Sequence, residues 1–281
     1  MLDVLTYVND LGGSIEFSLA SGFILTRDTY GLTENHIIVT TSKGVGQKGE
    51  TLQSANVEPR PITIAGFIQG LATAGKQRLL DVVLPEVPAK LYHNGEYYLS
   101  VTPTQTPTIE AADYFARFQF ALTAPYPYWI AANSKSSAIF ELLPKFKFPI
   151  NLTKPYRFAE GTETAFVNVK NIGQLETPYK AVFRATGEVV NPRIENINTK
   201  EFLLLNKTLQ RGEVVTVEFT HDLTYVTSSI DGDIRGDLDI DSDLFRLKPG
   251  DNFLKPDADK NKGAMSVSVE YSYEKAGVVI R

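Results

Sequence analysis

Three glycines in GVGQKG, Gly44, Gly46 and Gly49, reproduce the G-x-G-x-x-G spacing with which dinucleotide-binding proteins hold a pyrophosphate. That chemistry needs a strand before the glycines and a helix after them, because the N–H groups of the helix N-terminus carry the phosphate charge. HIIVTT, at 36–41, reads as the strand. After the glycines comes ETLQSANVEPRP, which has no apolar face and ends in Pro59 and Pro61. The glycines therefore read as a polar loop and not as a nucleotide site.

The run DGDIRGDLDIDSD holds six aspartates, Asp231, Asp233, Asp237, Asp239, Asp241 and Asp243, the residue type that binds calcium. A calcium loop starting at Asp231 would put Arg235 at a ligand position and Ser242 where a bidentate Glu belongs. The register from Asp237 lacks the mid-loop glycine. The run reads instead as a strand with Leu238, Ile240 and Leu244 inward and the aspartates outward, where charge also discourages edge pairing. Arg235-Gly236-Asp237 inside it matches a tripeptide that some adhesion receptors bind, a motif short enough to arise by chance. His36, His93 and His221 are far apart and form no i,i+4 pair, and cysteine is absent, so zinc, thiol and disulfide chemistry have no residues to use. No G-x-S-x-G elbow occurs. The carboxylates Glu110 and Asp113 would suffice in number for a glycosidase, but nothing distinguishes them from surface charge. The expectation is a protein with no catalytic residues, metal or cofactor. The cluster TAPYPYWIA, with Tyr126, Tyr128 and Trp129, has the aromatics to stack on a sugar ring, and reads better as a strand end whose rings close a core.

The elements that would position such residues are strands. In PITIAGFI, Ile62, Ile64 and Ile68 alternate with Thr63, Ala65 and Phe67. YFARFQFAL places Tyr114, Ala116, Phe118, Phe120 and Leu122 on one face, and MSVSVEYSY does the same with Met265, Val267, Val269, Tyr271 and Tyr273. EVVTVEFT alternates too. In LYHNGEYYL, Asn94-Gly95 supplies the two positive-φ residues of a type I′ hairpin turn. One segment reads as helix, TAGKQRLLDVVLP, with Thr73 as N-cap, Leu79, Leu80 and Val83 on one face and Pro85 as the stop. Between Tyr128 and about Phe166 the alternation fails and Pro144, Pro149 and Pro155 appear. The chain thus divides into a first β-sandwich with one helix (1–130), a linker or crossover (131–165) and a second sandwich (166–281).

Its 281 residues, 43% hydrophobic, are enough for two packed cores. A net charge of -5 argues against stable nucleic-acid binding, which needs clustered Lys and Arg. MLDVLTYVNDLGG lacks the basic start and long apolar core of a signal peptide. The longest apolar runs, such as FLLL at 202–205, are too short to span a bilayer, so no membrane insertion is expected.

The ordered series PRPITIAGFI, one helix ending at Pro85, an NG hairpin, APYPYWI, KFKFPINL, VKNIGQLETPYKAVFRATGEVVNPRIENINT, LLLNKTLQRGEVVTVEF and LFRLKPGDNFL resembles the distal tail (Dit) proteins of long-tailed phages. The resemblance runs over nearly the whole chain. It implies a first β-sandwich with a helix and a protruding hairpin, assembled into a hexameric ring. It also implies an outward-facing second sandwich, galectin-like or like a carbohydrate-binding module. The function implied is a structural hub at the virion tail tip. Assembled in the host bacterial cytoplasm, the hub would join the tail tube protein to the tail-tip protein and to receptor-binding proteins. The alternative from a different class is a carbohydrate-binding adhesin or lectin-like module. Against strong sugar binding, no tryptophan lies in the second half, and Phe219, Tyr271 and Tyr273 fall on inward strand positions. An acidic balance also suits a channel that DNA passes without adhering.

The segment from about Ser42 to Val57 is expected to be the protruding hairpin or loop. Its apolar residues are Val45, Leu52, Ala55 and Val57, too few for a core, and its glycines raise the entropy lost on ordering the tip. Pro59 and Pro61 stiffen its base and bias Glu58 and Arg60 toward extended backbone. Gly44, Gly46, Gly49, Leu52, Val57, Pro59, Arg60 and Pro61 are the candidate inter-subunit contacts.

Overall fold

The computed structural model describes residues 4–69, 73–111, 115–140, 142–144, 159–161, 166–221 and 223–278. The protein is mainly β and divides into two units. One comprises 1–133 with 274–281, the other 134–273. The sequence reading leaves the last eight residues in the second unit. They group instead with the first, which a linear reading of alternation does not reveal.

The first unit is built from β1 (Leu5–Asn9), β2 (Ser14–Phe17), β3 (Phe23–Leu25), β4 (Ile37–Ser42), β5 (Thr51–Val57) and β6 (Arg60–Gln69). Helix α1 (Thr73–Val82) comes next, then β7 (Ala89–His93), β8 (Tyr97–Ala111), β9 (Phe115–Ala124) and β10 (Trp129–Ala131). The main sheet runs β2-β1-β7-β8-β9-β6-β3. It curls until its two ends meet, through a bridge between Ser18 and Phe23. Ile62, Ile64, Ile68, Ala116, Phe118, Phe120 and Leu122 all face inward as their alternation predicts; Tyr114 lies outside the described residues. Phe17, Phe118, Phe120 and Phe23 pack ring against ring, 6.0–6.5 Å between centroids. The Asn94-Gly95 turn is as read, with φ of 52° and 67°. On the helix, Leu79 and Val83 are buried, but Leu80 is 41% exposed. One residue is a 100° rotation, so 80 cannot share the 79/83 face.

Tyr7 lies in this core, edge-on to Phe120 and fully buried, and desolvation pushes its phenol pKa up to about 12, with Asp10 adding to the shift. A phenol in the unfolded chain ionises near 10. The stability tied to the neutral form is therefore complete below pH 10 and is lost as pH climbs through about 12. We expect urea midpoints to fall steeply above pH 10, and Tyr7→Phe to reduce that slope. An unchanged slope in the variant would count against the assignment.

The second unit contains β11 (Lys135–Phe140), β12 (Leu142–Pro144), β13 (Ala159–Gly161), β14 (Val167–Asn171), β15 (Tyr179–Ala185), β16 (Val189–Asn196) and β17 (Phe202–Leu204). It continues with β18 (Thr208–Leu209), β19 (Val214–Phe219), β20 (Thr224–Ser228), β21 (Gly232–Asp233), β22 (Gly250–Lys260) and β23 (Met265–Tyr271). One sheet is β11-β23-β15-β19-β20-β21, the other β14-β22-β16-β17 with β18 on β16. Both contribute to a single core, Phe183, Val217 and Val267 from the first and Val169, Ile194 and Leu254 from the second, which makes a sandwich. The segment expected to be a linker is partly built into it: β11 pairs with β23, and β12 with β13. Tyr273 lies beyond the end of β23 and is half-buried.

The aspartate run is not the expected strand. A short 3-10 turn, Arg235–Asp237, interrupts it. Ile234 and Phe245 are the buried anchors, Leu238 packs on the core from the side, and Ile240 and Leu244 are 96% and 52% exposed. The aspartates serve local partners. Asp231 accepts from Lys207 and raises the lysine's pKa, Asp233 holds Arg235 at 2.8 Å, and Asp239 accepts from Asn206. Among the described residues no three His, Cys, Asp or Glu side chains converge as a metal site would require; Asp113 lies outside them. Among the same residues no helix is long and apolar enough to cross a membrane.

Candidate functional site

The feature of the first unit that its own core does not explain is the ribbon β4–β5. It is a separate two-stranded sheet, antiparallel from Ile37 opposite Val57 to Ser42 opposite Thr51. The β-branched run Ile37-Ile38-Val39-Thr40-Thr41 favours extended backbone. An N–H of Glu58 donating to the carbonyl of His36 closes its base. Ile37, Val39 and Leu52 are 52%, 55% and 61% exposed. The ribbon therefore begins five residues earlier than the sequence reading placed it, and those residues supply the apolar side chains that the 42–57 segment seemed to lack.

Its two faces differ. Side chains alternate along a strand, so Ile37, Val39 and Thr41 share one face with their partners Val57, Ala55 and Leu52. The opposite face carries Ile38, Thr40 and Ser42 with Asn56, Ser54 and Thr51. Strict alternation back from Val57 would put Gln53 on the apolar face. A bulge between the Thr40 and Thr41 pairs makes Gln53 the extra residue and gives that place to Leu52. The result is a stripe of five apolar residues, four exposed and Val57 half-buried at the base, on an isolated two-stranded ribbon, a form only marginally stable in water by itself.

Gly44, Gly46 and Gly49 lie at the tip. Gly46 and Gly49 have φ of 78° and 80°, which suits glycine there. The sequence predicts a tip left loose in the single chain. The bonds within it are local and exposed: Gly44 N–H donates to Gln47 Oε1 (2.9 Å), Gln47 Nε2 to Thr51 Oγ1 (2.9 Å), and Thr41 Oγ1 to the Glu50 carboxylate. Lys43 and Lys48 give the tip its positive charge.

At the base, Pro59 and Pro61 are exposed and Val57 half-buried, but Arg60 is fully buried. Its five N–H groups donate inside the first unit. Nε reaches Pro127 O at 2.7 Å, Nη1 reaches Leu32 O at 2.8 Å and Gly31 O at 3.3 Å, and Nη2 reaches Asn35 Oδ1 and Ala276 O. Burial pulls the guanidinium pKa down, while the charge of Glu34 opposes this. Gly31 makes the arrangement possible. With φ 87°, its backbone approaches so closely that a Cβ would sit 2.1 Å from Pro61 O. Arg60 thus cannot be a contact to another subunit and leaves the candidate set. It anchors the ribbon by fastening the start of β6 to the loop at 31–35, to Pro127 and to the returning C-terminus. There β24 (Glu274–Lys275) pairs with β10, and Tyr126 donates to Glu274. Trp129, read as a core residue, is fully buried beside it and donates to Leu32 O at 3.0 Å.

Sequence reasoning misses Ile37 and Val39 as site residues because it takes HIIVTT only as the strand that precedes the glycines and starts the hairpin at Ser42. The available signal was the lack of a second alternating run to cover them.

Residues 172–274 match the family described as "Siphovirus-type tail component, C-terminal domain". Among solved structures, the chain is similar to the Dit protein (gp 19.1) of phage SPP1, described as a paradigm of the hub adsorption apparatus in phages infecting Gram-positive bacteria. Identity is 14%, 96% of this chain and 98% of that one are covered, and the TM-score is 0.71. A chain of the phage P2 baseplate in its activated conformation aligns over 99% of this chain and 100% of its own, with 7% identity and a TM-score of 0.50. No curated protein matches the sequence.

Proposed function

We propose that this chain, whose residues 172–274 match the siphovirus-type tail component family and whose fold resembles that of a Dit protein, is the distal tail hub of a long-tailed phage. The role is structural. Six copies form a ring through their first units, and the ring joins the tail tube protein to the tail-tip protein and to receptor-binding proteins in the virion. The observation that carries this reading is the family match over residues 172–274, in a chain whose other unit holds out an uncovered apolar ribbon. A ribbon of that kind is favourable only when a neighbour covers it.

The glycan-binding alternative asks for exposed aromatic platforms on the second sandwich. Among its described residues, Phe166 and Tyr225 are the aromatics more than a third exposed, and Phe166 already packs edge-on to Phe253 at 5.3 Å. Co-expression with a tail tube protein and a tail-tip protein of the same phage should yield a stable co-purifying assembly. Failure to associate with either, together with selective retention on a glycan array, would favour the lectin reading.

A further inference from the structure

The chain leaves the first unit at residue 133 and returns to it at 274, so the second unit is an insertion in the first. What returns is short and deeply seated. Glu274 and Val278 are 1% and 6% exposed. Strand β24 adds to one edge of β10, Trp129 opposite Lys275 and Ile130 opposite Glu274. On its other edge β10 pairs with β8, Ile130 opposite Tyr98 and Ala131 opposite Tyr97. Side chains secure the returning segment as well. Tyr126 donates to Glu274, and the Lys275 ammonium lies 4.4 Å from the centre of the Tyr97 ring. Ala276 O accepts from Asn35 Nδ2 at 2.9 Å in addition to Arg60. At Gly277 a Cβ would stand 2.6 Å from Thr33 O, so a side chain has no room there.

Without this segment the first unit would carry an open slot. Trp129, now 0% exposed, would stand on an unpaired strand edge, and the buried guanidinium of Arg60 would lose one of its five acceptors. An edge of that kind takes an extended peptide as an added strand. Backbone bonds supply the affinity and side-chain pockets the selectivity. Here the selective features are the Glu274 site at Tyr126, the buried Val278 and the place at Gly277 that only glycine fills. The direction of synthesis gives the slot a consequence. The 140 residues from 134 to 273 are made before the segment that closes the first unit. At about 5–20 residues per second they take roughly 7–28 s, against about 1–10 μs for pairing a hairpin. The strands of the first unit therefore have time to pair while its slot is still empty.

We propose that residues 274–278 are a separable closing strand: the first unit folds to an open form with a strand-accepting slot beside Trp129, and this segment completes it only after the second unit has been made. The same contact fastens the base of the ribbon, because Arg60 at the start of β6 donates to Ala276 O. A chain that stops within the second unit keeps an open slot and an unfinished ribbon base. The returning strand is thus a built-in check that the second unit has been made. Its occupant is the chain's own segment, 241 residues from its partner Asn35 in sequence. The inference stands on the first unit alone and does not need the ring.

The test uses the full-length chain with a cleavage site for a sequence-specific protease inserted between Tyr273 and Glu274. Trp129 is the single tryptophan and reports the first unit alone. The folded protein is cut, the strand is separated in urea, and the remainder is refolded. We expect Trp129 emission to stay red-shifted, with circular dichroism largely retained, and to return to native on adding a synthetic peptide of residues 274–281. A Gly277→Leu peptide should bind about tenfold more weakly or worse, since the site has no space for the added atoms. In the uncut chain, Gly277→Leu should lower the urea midpoint followed by Trp129 fluorescence. Native emission without the strand would overturn the proposal, as would a Gly277→Leu peptide that binds like the parent. Circular dichroism lost on removal and not restored by the peptide would mean that the segment belongs to one indivisible fold, which also overturns it. Dimers of the uncut chain that the peptide dissociates would replace the chain's own strand with that of a second copy.

Discussion

Replacing Arg60 by Met is expected to destabilise the first unit by about 3–5 kcal/mol, a large share of the roughly 5–15 kcal/mol that holds a domain folded. The side chain would keep its volume and lose all five donors. Pro127 O, Leu32 O, Gly31 O, Ala276 O and Asn35 Oδ1 would lose the guanidinium that joins them. A buried acceptor without a partner costs about 1–3 kcal/mol. Arg60→Lys should recover little, because one ammonium has three donors and no planar fork to reach oxygens on three separate segments. The check is urea unfolding followed by Trp129 fluorescence, since the indole lies in the same region and donates to the same Leu32 carbonyl. A loss below about 1 kcal/mol would mean that water replaces the guanidinium at little cost.

Cutting out the ribbon should have the opposite profile. With Lys43–Ala55 replaced by a short Gly-Ser link, Leu52 and Ala55 of the apolar stripe, most of β5 and both tip lysines disappear, so that β4 loses its partner strand, while no core side chain of the first unit is touched. Shortening a surface segment that lies outside the core changes stability little, because loop-closure entropy varies slowly with length. Circular dichroism and the urea midpoint of the single chain should therefore match those of the parent, yet assembly should be lost. On the ring reading, the ribbon serves assembly and not folding, and Arg60 links the two by fixing the ribbon's base.

Much of this was legible in the sequence because half-buried strands write their inward face as a period of two. Ile62, Ile64 and Ile68 lie inside as read, as do Phe118 and Phe120, and the Asn-Gly turn stands where the dipeptide put it. The protruding hairpin was visible as a polar, glycine-rich stretch with nothing to bury. What failed to show were pairings made at long range. A charged residue between two prolines reads as surface; only the return of the chain at Ala276 and the approach of Gly31 turn Arg60 into a buried anchor. The bulge at Gln53 changes which face Leu52 occupies, and a bulge leaves no mark in composition. In the aspartate run, Leu238, Ile240 and Leu244 alternate as a strand would. Side-chain bonds of Asp231, Asp233 and Asp239 hold a turn there instead, and the alternation buries neither Ile240 nor Leu244.

The central claim is that this chain builds a closed ring through the ribbon of its first unit. Native mass spectrometry of the full-length protein at micromolar concentration tests it most directly. The account predicts a dominant species at six times the 31.1 kDa chain mass, absent from the ribbon-less variant measured beside it. A full-length protein that stays monomeric or dimeric across the accessible concentration range, or a ribbon-less variant that forms the same hexamer, would contradict it.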